Sequence, residues 1–121
     1  MELIRKDEMK VLSNPGVESW QLLNPENSTS RRITITRVIV QVGHEQPRHS
    51  HDACEQVWIC LKGEGTLLLA DNCEKPFKAG DVARFAEGDI HGIRNDSQNE
   101  IEYISVTSPP MDFAYAYKDK R

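Results

Sequence analysis

The sequence of 121 residues has few cysteines, few aromatic side chains and no long hydrophobic run. Its three cysteines, at positions 54, 60 and 73, are an odd number without a Cys-x-x-Cys spacing, which argues against a disulfide framework and against a zinc ribbon. No apolar stretch has the length of a signal peptide core or of a membrane-spanning helix. We therefore expect a cytoplasmic protein that has no membrane partner.

The chain also lacks a strongly basic segment. Its 15 Lys and Arg residues are outnumbered by 19 Asp and Glu residues, which gives a formal net charge of -4. A protein that binds the phosphate backbone of nucleic acids needs a cationic surface. The composition therefore predicts no nucleic-acid partner.

Helical periodicity is almost absent, and short apolar or alternating runs separated by turn residues take its place. This pattern predicts strands over 18–23, 31–42, 55–61, 66–70 and 100–108. Many short strands joined by glycine-containing turns are typical of a small antiparallel barrel or sandwich. The sequence therefore predicts an all-β fold.

Three of the four histidines are arranged in a way that permits chelation. His49 and His51 are two residues apart, so both imidazoles project to the same side of an extended segment. His91 lies on a strand late in the chain, which an antiparallel barrel can place beside the segment that carries the pair. The three imidazoles could therefore be presented to one point, as chelation of a metal ion requires.

Two motifs in the sequence resemble those of the cupin superfamily of small β-barrels. The first motif is matched by Gly43, His49, His51, Gln56 and Gly63. The second is matched by Gly80, Gly88, His91 and Asn95. Ala86 stands where the second motif has proline, which removes no ligand. The resemblance implies a single-domain antiparallel β-barrel of the jelly-roll or double-stranded β-helix type.

The expected domain covers residues 1–121 and has three parts. Residues 1–30 are an N-terminal extension that can add an edge strand, and 31–108 form the barrel. Residues 109–121 form a C-terminal tail that is too aromatic to be fully solvated. We expect the tail to pack over the barrel or onto a second subunit, and we expect a homodimer.

The resemblance also implies one divalent metal ion inside the barrel. The family pattern, carried over by position, assigns His49, His51, His91 and either Glu55 or Gln56 as its ligands. Imidazole-rich ligation suits Fe, Ni, Zn or Cu, and Mn is also permitted. Because four protein ligands leave coordination positions for water or substrate, the site would be an open one.

Glu55 and Gln56 are adjacent, so only one of them can face the ion. Periodicity favours Glu55, because the interior would then receive an aliphatic stripe made of Val57, Ile59 and Leu61. The spacing to the glycine at position 63 favours Gln56, since Glu55 would need a bulge inside the strand. We choose Gln56 as the ligand and keep Glu55 as the alternative.

Four further residues are candidates for substrate binding and catalysis. Arg37 interrupts a row of isoleucines on a long strand and is a candidate to bind an anion in the cavity, and Tyr103 offers a hydroxyl on the last strand. The tail sequence SPPMDFAYAY resembles the stretch after the last strand in small cupins that linearise unsaturated uronates. In those cupins an acid and an aromatic reach the cavity, and the resemblance implies these roles for Asp112 and Phe113.

The expected function is that of a metal-dependent enzyme which acts on a small, polar, anionic molecule. One version is an isomerase or tautomerase of a sugar acid, with Asp112 or Tyr103 moving a proton. The other version is a dioxygenase. The alternative is a non-catalytic module in which the metal only anchors a small-molecule ligand, since one fold hosts many functions.

Overall fold

The structure, a computed structural model, describes residues 1–120 and consists mainly of β-strands. In chain order the strands are β1 (Val11–Asn14), β2 (Val17–Leu23), β3 (Thr34–Val40), β4 (Glu45–His49), β5 (Glu55–Lys62), β6 (Glu64–Leu69), β7 (Glu74–Lys78), β8 (Val82–Phe85), β9 (His91–Arg94), β10 (Ile101–Ser108) and β11 (Asp119–Lys120). Short 3-10 helices occur at Lys6–Glu8, Ala70–Asn72 and Phe113–Ala116. In the described part of the chain, no helix has the length and apolar character needed to cross a membrane.

The strands form two antiparallel sheets. The larger sheet has the order β11-β1-β2-β3-β10-β5-β8, and the smaller one has the order β4-β9-β6-β7. The hydrophobic core contains side chains from both sheets, such as Val40 and Trp58 from the larger and Leu67 and Ile93 from the smaller. The prediction of an all-β, antiparallel fold of the jelly-roll type is therefore confirmed.

The five strands predicted from apolar alternation are present, with boundaries that differ by one to three residues at several ends. Strand β7 is not among the predicted strands, and its sequence EKPFK contains one apolar residue besides proline. In the structure only Phe77 of this strand is buried, and Pro76 is tolerated because β7 lies at a sheet edge. Such a strand has little apolar signal because most of its side chains face solvent.

The alternation of side chains along β5 decides which residues enter the barrel. Gln56, Trp58 and Cys60 are buried between the sheets. The intervening side chains lie on the outer face, where Ile59 is 36% exposed and Leu61 is 49% exposed. The aliphatic stripe that favoured Glu55 as the inward residue is therefore an outer surface of the larger sheet.

The interior of the larger sheet is polar at one end and apolar at the other. Buried side chains with hydroxyl or amide groups occupy the polar end: Ser19, Gln21, Thr34, Thr36, Gln56, Ser105 and Thr107. Farther along the same strands the buried residues are Val17, Val38, Val40, Trp58, Cys60, Ile101 and Tyr103. Burial of polar groups is costly unless they find partners. The polar end is thus the part of the interior that is suited to hold a polar ligand.

Two glycines share a positive φ but differ in the space that is available for a side chain. Gly63 connects β5 to β6 with φ +80, and a Cβ at this position would lie 2.5 Å from the carbonyl oxygen of Glu100. Gly80 has φ +95, but a Cβ there would meet nothing within 4 Å. Both positions disfavour a side chain, but only Gly63 is also in contact with a neighbouring backbone.

We predict that Gly63→Ala lowers the free energy of unfolding by about 3 kcal/mol or more, whereas Gly80→Ala lowers it by about 1 kcal/mol. The difference arises because the new methyl group at position 63 collides with a backbone that cannot move without disturbing β10. Urea denaturation of the two variants and the natural protein measures both values. Equal losses for the two variants would contradict this assignment.

Candidate metal centre

The three histidines of the sequence motifs meet at one end of the barrel. Strands β4 and β9 are paired with His49 directly opposite His91, and His51 follows two residues after the end of β4. One ring nitrogen from each of the three side chains lies within 4.8 Å of the others. Because opposite residues of an antiparallel pair share a face, the pairing itself brings the early and late motifs together.

His91 is held in a single orientation by its neighbours. Its Nδ1 lies 2.9 Å from the backbone oxygen of Asp89, and its ring stacks on Phe85 with centroids 4.4 Å apart. The carbonyl oxygen is an acceptor only, so Nδ1 carries the proton and donates it. Burial lowers the pKa of His91 to about 4, so the ring is neutral at pH 7 and Nε2 presents a lone pair.

The other two histidines also have a nitrogen available. The Nδ1 of His49 lies 2.8 Å from the oxygen of Pro47, which directs Nε2 away from the backbone. Within the described residues, the Nε2 of His51 is buried and has no hydrogen-bond partner. Burial, followed by the nearby His49, lowers the pKa of His51, which favours the neutral ring.

Gln56 completes the cluster from the opposite sheet. Its Oε1 lies 3.0 Å from the Nε2 of His91 and accepts a hydrogen bond of 3.2 Å from the indole N–H of Trp58. Its Nε2 donates to the Thr107 hydroxyl at 3.0 Å. Glu55 points away from the cluster and pairs with Arg84 on the outer face at 2.8 Å. Of the two adjacent candidates, the structure thus brings Gln56 to the histidines.

The contact between Gln56 and His91 tests whether the cluster fits a metal ion. With Nδ1 of His91 protonated, the ring Nε2 and the amide Oε1 are two acceptors that face each other without a proton between them. The unpartnered Nε2 of His51 lies in the same cluster. A cation relieves both situations, because it accepts lone pairs from imidazole nitrogens and amide oxygens. The residues therefore fit a divalent transition metal ion.

A cavity of about 320 Å³ lies next to the cluster. Its walls are formed by Asn14, Ser19, Thr36, Val38, Gln46, Pro47, Arg48, His49, Ser50, His51, Gln56, Trp58, Tyr103, Ser105, Phe113, Tyr115, Ala116 and Tyr117. Among the described residues, no Asp or Glu contributes to these walls. Arg48 borders the cavity, and its Nε donates to the backbone oxygen of Leu69 at 2.8 Å.

Tyr103 lies inside the barrel and belongs to a chain of hydrogen bonds along the cavity wall. Its ring stacks on Trp58 with centroids 4.3 Å apart, and its hydroxyl donates to the Oε1 of Gln46. The Nε2 of Gln46 donates to the hydroxyl of Tyr117 at 2.9 Å. Burial raises the pKa of both tyrosines, so both phenols stay protonated at neutral pH.

Gln46 and Tyr117 were not predicted as site residues. Gln46 lies on β4, three residues before His49, and a strand with few apolar residues gives no indication of which side chains face inward. Tyr117 follows the last 3-10 helix, where the aromatic tail returns to the barrel. The aromatic character of the tail was the available signal, but it indicated packing and did not single out a residue.

The C-terminal tail forms part of the cavity wall. Met111 and Thr34 exchange hydrogen bonds of 2.9 and 3.2 Å at one end of the tail, and Asn14 donates to the backbone oxygen of Ala116 at the other. Phe113 is buried in the cavity wall, with its ring 6.0 Å from that of His51. Asp112, in contrast, is exposed and accepts a hydrogen bond from the backbone N–H at position 114. Only Phe113 of this predicted pair lines the cavity.

Arg37 does not lie in the cavity either. Side chains on β3 alternate, and Arg37 falls on the outer face of the larger sheet. There its guanidinium carbon is 5.2 Å from the centre of the Trp20 ring, and its nitrogen is 3.6 Å from the carboxylate of Glu102. The isoleucine row that this arginine interrupts is an outer row, which is why the location differs from the expected one.

Comparisons with known proteins place the chain in a family. The family model described as "Cupin domain" matches residues 36–107. The chain is 31% identical to "Auxin-binding protein 1" of Arabidopsis thaliana over 87% of its own length, but it spans only 57% of that relative. It is 30% identical to "Oxalate-binding protein" of Thermotoga maritima, with 74% of each chain covered.

A solved structure is similar over nearly the whole fold. The structure of KdgF from Halomonas sp. has a TM-score of 0.77 with this chain and covers 92% of this chain and 97% of its own. The two sequences are 17% identical, so this similarity concerns the fold alone.

We predict that the protein retains about one metal ion per chain, and that Gln56→Ala lowers the affinity for this ion by about 10-fold or more. Glu55→Ala should leave the affinity unchanged, because this carboxylate lies on the outer face. Elemental analysis, before and after chelation and reloading, measures the content of each variant. A larger loss in Glu55→Ala than in Gln56→Ala would reverse the assignment, and metal-free protein under both conditions would refute it.

Proposed function

The chain belongs to the cupin family, and on this basis we propose that it holds a divalent metal ion through His49, His51, His91 and Gln56. The function proposed for this centre is the binding of a small hydroxylated carboxylate, in which the protein then moves a proton. The observation that carries the proposal is the charge of the cavity. The four proposed ligands are three imidazoles and a carboxamide, none of which brings a negative charge, and no carboxylate among the described residues lines the walls.

This charge distribution favours an anionic ligand. Neutral ligands leave the full charge of a divalent ion uncompensated, so an anion is attracted to the remaining coordination positions. Arg48 at the border adds a positive charge. A neutral or cationic small molecule would gain nothing from this field.

The walls of the cavity favour a ligand with several hydroxyl groups. Hydroxyl and amide groups are contributed by Asn14, Ser19, Thr36, Gln46, Ser50, Ser105, Tyr103 and Tyr117. These groups donate and accept hydrogen bonds, as the hydroxyls of a sugar acid do. The volume of about 320 Å³ lies at the lower end of the range for small-molecule pockets. The name of the relative from Thermotoga maritima, an oxalate-binding protein, supports a carboxylate ligand.

Isomerisation or tautomerisation is the reaction class that we propose for this site. When bound, the metal would supply Lewis acidity toward a carboxylate or keto oxygen. The proposed proton donor is the phenol of Tyr103, which stays protonated and would exchange its hydrogen bond to Gln46 for one to the bound acid. Gln46 accepts from this phenol and donates to Tyr117, so both hydroxyls are held on the same wall of the cavity.

A non-catalytic binding module is the second candidate, and two observations favour it. Asp112, the acid suggested by the sequence, is exposed and caps the last 3-10 helix instead of lining the cavity. In addition, two curated relatives carry names that state binding of a small molecule, auxin in one case and oxalate in the other. Such a module would use the same metal and the same walls without moving a proton.

We predict that metal-loaded protein binds hydroxylated carboxylates, such as aldonic, uronic and keto acids, at least about 10-fold more tightly than the matching neutral sugars. His51→Ala should abolish this preference, because it removes a proposed metal ligand. Calorimetry measures binding, and deuterium uptake from D₂O into the bound acid, followed by NMR, measures proton transfer. Tyr103→Phe should slow the uptake while binding persists.

The outcomes of this experiment separate the candidates. Binding without deuterium uptake or product would favour the non-catalytic module, and oxygen consumption by Fe²⁺-loaded protein would favour a dioxygenase. Equal binding of acids and neutral sugars, or binding that persists after chelation, would contradict the proposed function.

We also propose that the outer face of the larger sheet binds a second copy of the chain. Cross-strand neighbours place Val57, Ile59, Val82 and Ile104 side by side on this face, and Val82 is 64% exposed. Contiguous exposed apolar surface marks interaction sites. The pairs Glu55–Arg84 and Arg37–Glu102 border the stripe, so a copy related by two-fold symmetry can present opposite charges to it.

We predict that Val82→Glu converts the dimer into a monomer at micromolar concentration, because the new carboxylate would be buried in the interface without a partner. Val42→Glu is the matched control, since Val42 is 48% exposed but lies beyond the end of β3, away from the stripe. Sedimentation analysis of the natural protein and both variants measures the mass. A monomeric natural protein, or a Val82→Glu variant that remains dimeric, would contradict the proposal.

A further inference from the structure

The amide of Gln56 has two orientations of nearly equal shape, and only one of them suits a metal ligand. A carboxamide binds a cation through its oxygen, whereas its NH₂ group is a donor of hydrogen bonds. Rotation by about 180° exchanges the two groups without changing the volume of the side chain. An interaction outside the metal cluster must therefore decide which group faces His91.

Trp58 supplies the decisive interaction. Its indole N–H donates to the Oε1 of Gln56 at 3.2 Å, and an indole N–H cannot accept a hydrogen bond in return. In the rotated amide the NH₂ group would face this N–H, so two donors would oppose each other inside the barrel. Trp58 is itself immobilised, since it is 2% exposed and stacks on Tyr103 with an edge contact to Phe85.

Thr107 completes the arrangement on the other side of the amide. Its hydroxyl accepts a hydrogen bond of 3.0 Å from the Nε2 of Gln56, and the residue is fully buried. Thr107 and Gln56 are direct partners in the pairing of β10 with β5, so the backbone fixes their separation. A hydroxyl can donate or accept, and Thr107 therefore holds the amide without choosing its orientation.

We propose that Trp58 and Thr107 are positioning residues that hold the Gln56 oxygen toward His91 and the metal, with Trp58 setting the orientation. This inference rests on the proposed metal centre. Without the indole N–H, the amide can rotate and donate from its NH₂ group to the Nε2 of His91. That hydrogen bond would occupy the lone pair of one proposed ligand and withdraw the oxygen of another, so it would compete with the metal.

The first test is the dissociation constant for Co²⁺, measured by competition with a chromophoric chelator. Trp58→Phe retains an aromatic ring but removes the N–H, and we expect affinity on the order of 10-fold weaker than that of the natural protein. Trp20→Phe is the matched control, because Trp20 lies on the outer face and its N–H donates to Glu18. This control should leave the Co²⁺ affinity unchanged. The visible spectrum of bound Co²⁺ reports whether the ligand set is altered.

Repeating the Trp58→Phe substitution in the Gln56→Glu variant distinguishes orientation of the amide from general damage to the core. In Gln56→Glu the side chain ends in two equivalent oxygens, so no rotation can turn a donor toward His91. Adding Trp58→Phe to Gln56→Glu should therefore change the Co²⁺ affinity by less than about 2-fold. A loss on the order of 10-fold in both backgrounds would show that Trp58 acts only through packing, and it would overturn the inference.

Thr107 provides an independent pair of variants if the tryptophan variant does not fold. Thr107→Val removes the acceptor and should weaken Co²⁺ binding. Thr107→Ser keeps the hydroxyl and should retain the affinity of the natural protein. Equal affinities of these two variants would contradict the inference.

If the natural protein and His51→Ala bind Co²⁺ equally weakly, the proposed metal centre itself is wrong. If the natural protein binds Co²⁺ and the Trp58→Phe variant binds it with the same affinity, only the positioning role is refuted.

Discussion

The alternation of side chains along β5 is the constraint on which the interior of the barrel depends. A strand buried on one face directs every second residue inward, so the inward position of Gln56 also brings Trp58 and Cys60 into the core. A shift of one residue would place Glu55 inside and expose the tryptophan. The polar ligand candidate, the aromatic core and the outer aliphatic stripe are thus consequences of one choice of register.

That register also brings polar side chains of the two sheets into contact. The histidines come from the smaller sheet and the loop that follows β4, whereas Gln56 comes from the larger sheet. Their contact at 3.0 Å joins the sheets at the polar end of the interior. A cation bound there would add a link between two layers that also meet through apolar packing and the Tyr103–Gln46 hydrogen bond, so metal binding would be coupled to the stability of this end of the fold. The tail contacts the same end through Phe113, whose ring lies 6.0 Å from that of His51.

The strands with clear apolar alternation could be predicted because each has one face in the core. This holds for β2, β3, β5, β6 and β10, and the family motifs identified the histidines from their spacing. Strand β4 was not predicted because Pro47 is its one apolar residue, which leaves no periodic signal. The roles of Arg37 and Asp112 could not be assessed because a sequence does not state which face of a strand, or which side of a tail, meets the cavity.

The sequence by itself determined the class of fold, the family and the residues from which a metal site can be built. Apolar periodicity and the spacing of ligands are patterns among residues that are close in the chain, so they can be recognised without knowing which strands pair. Only the tertiary structure decided that Gln56 rather than Glu55 faces His91, that Gln46 and Tyr117 share the cavity wall, and that Arg37 lies outside. These outcomes depend on which strands pair and on which face is covered, and such contacts join residues that are distant in the chain.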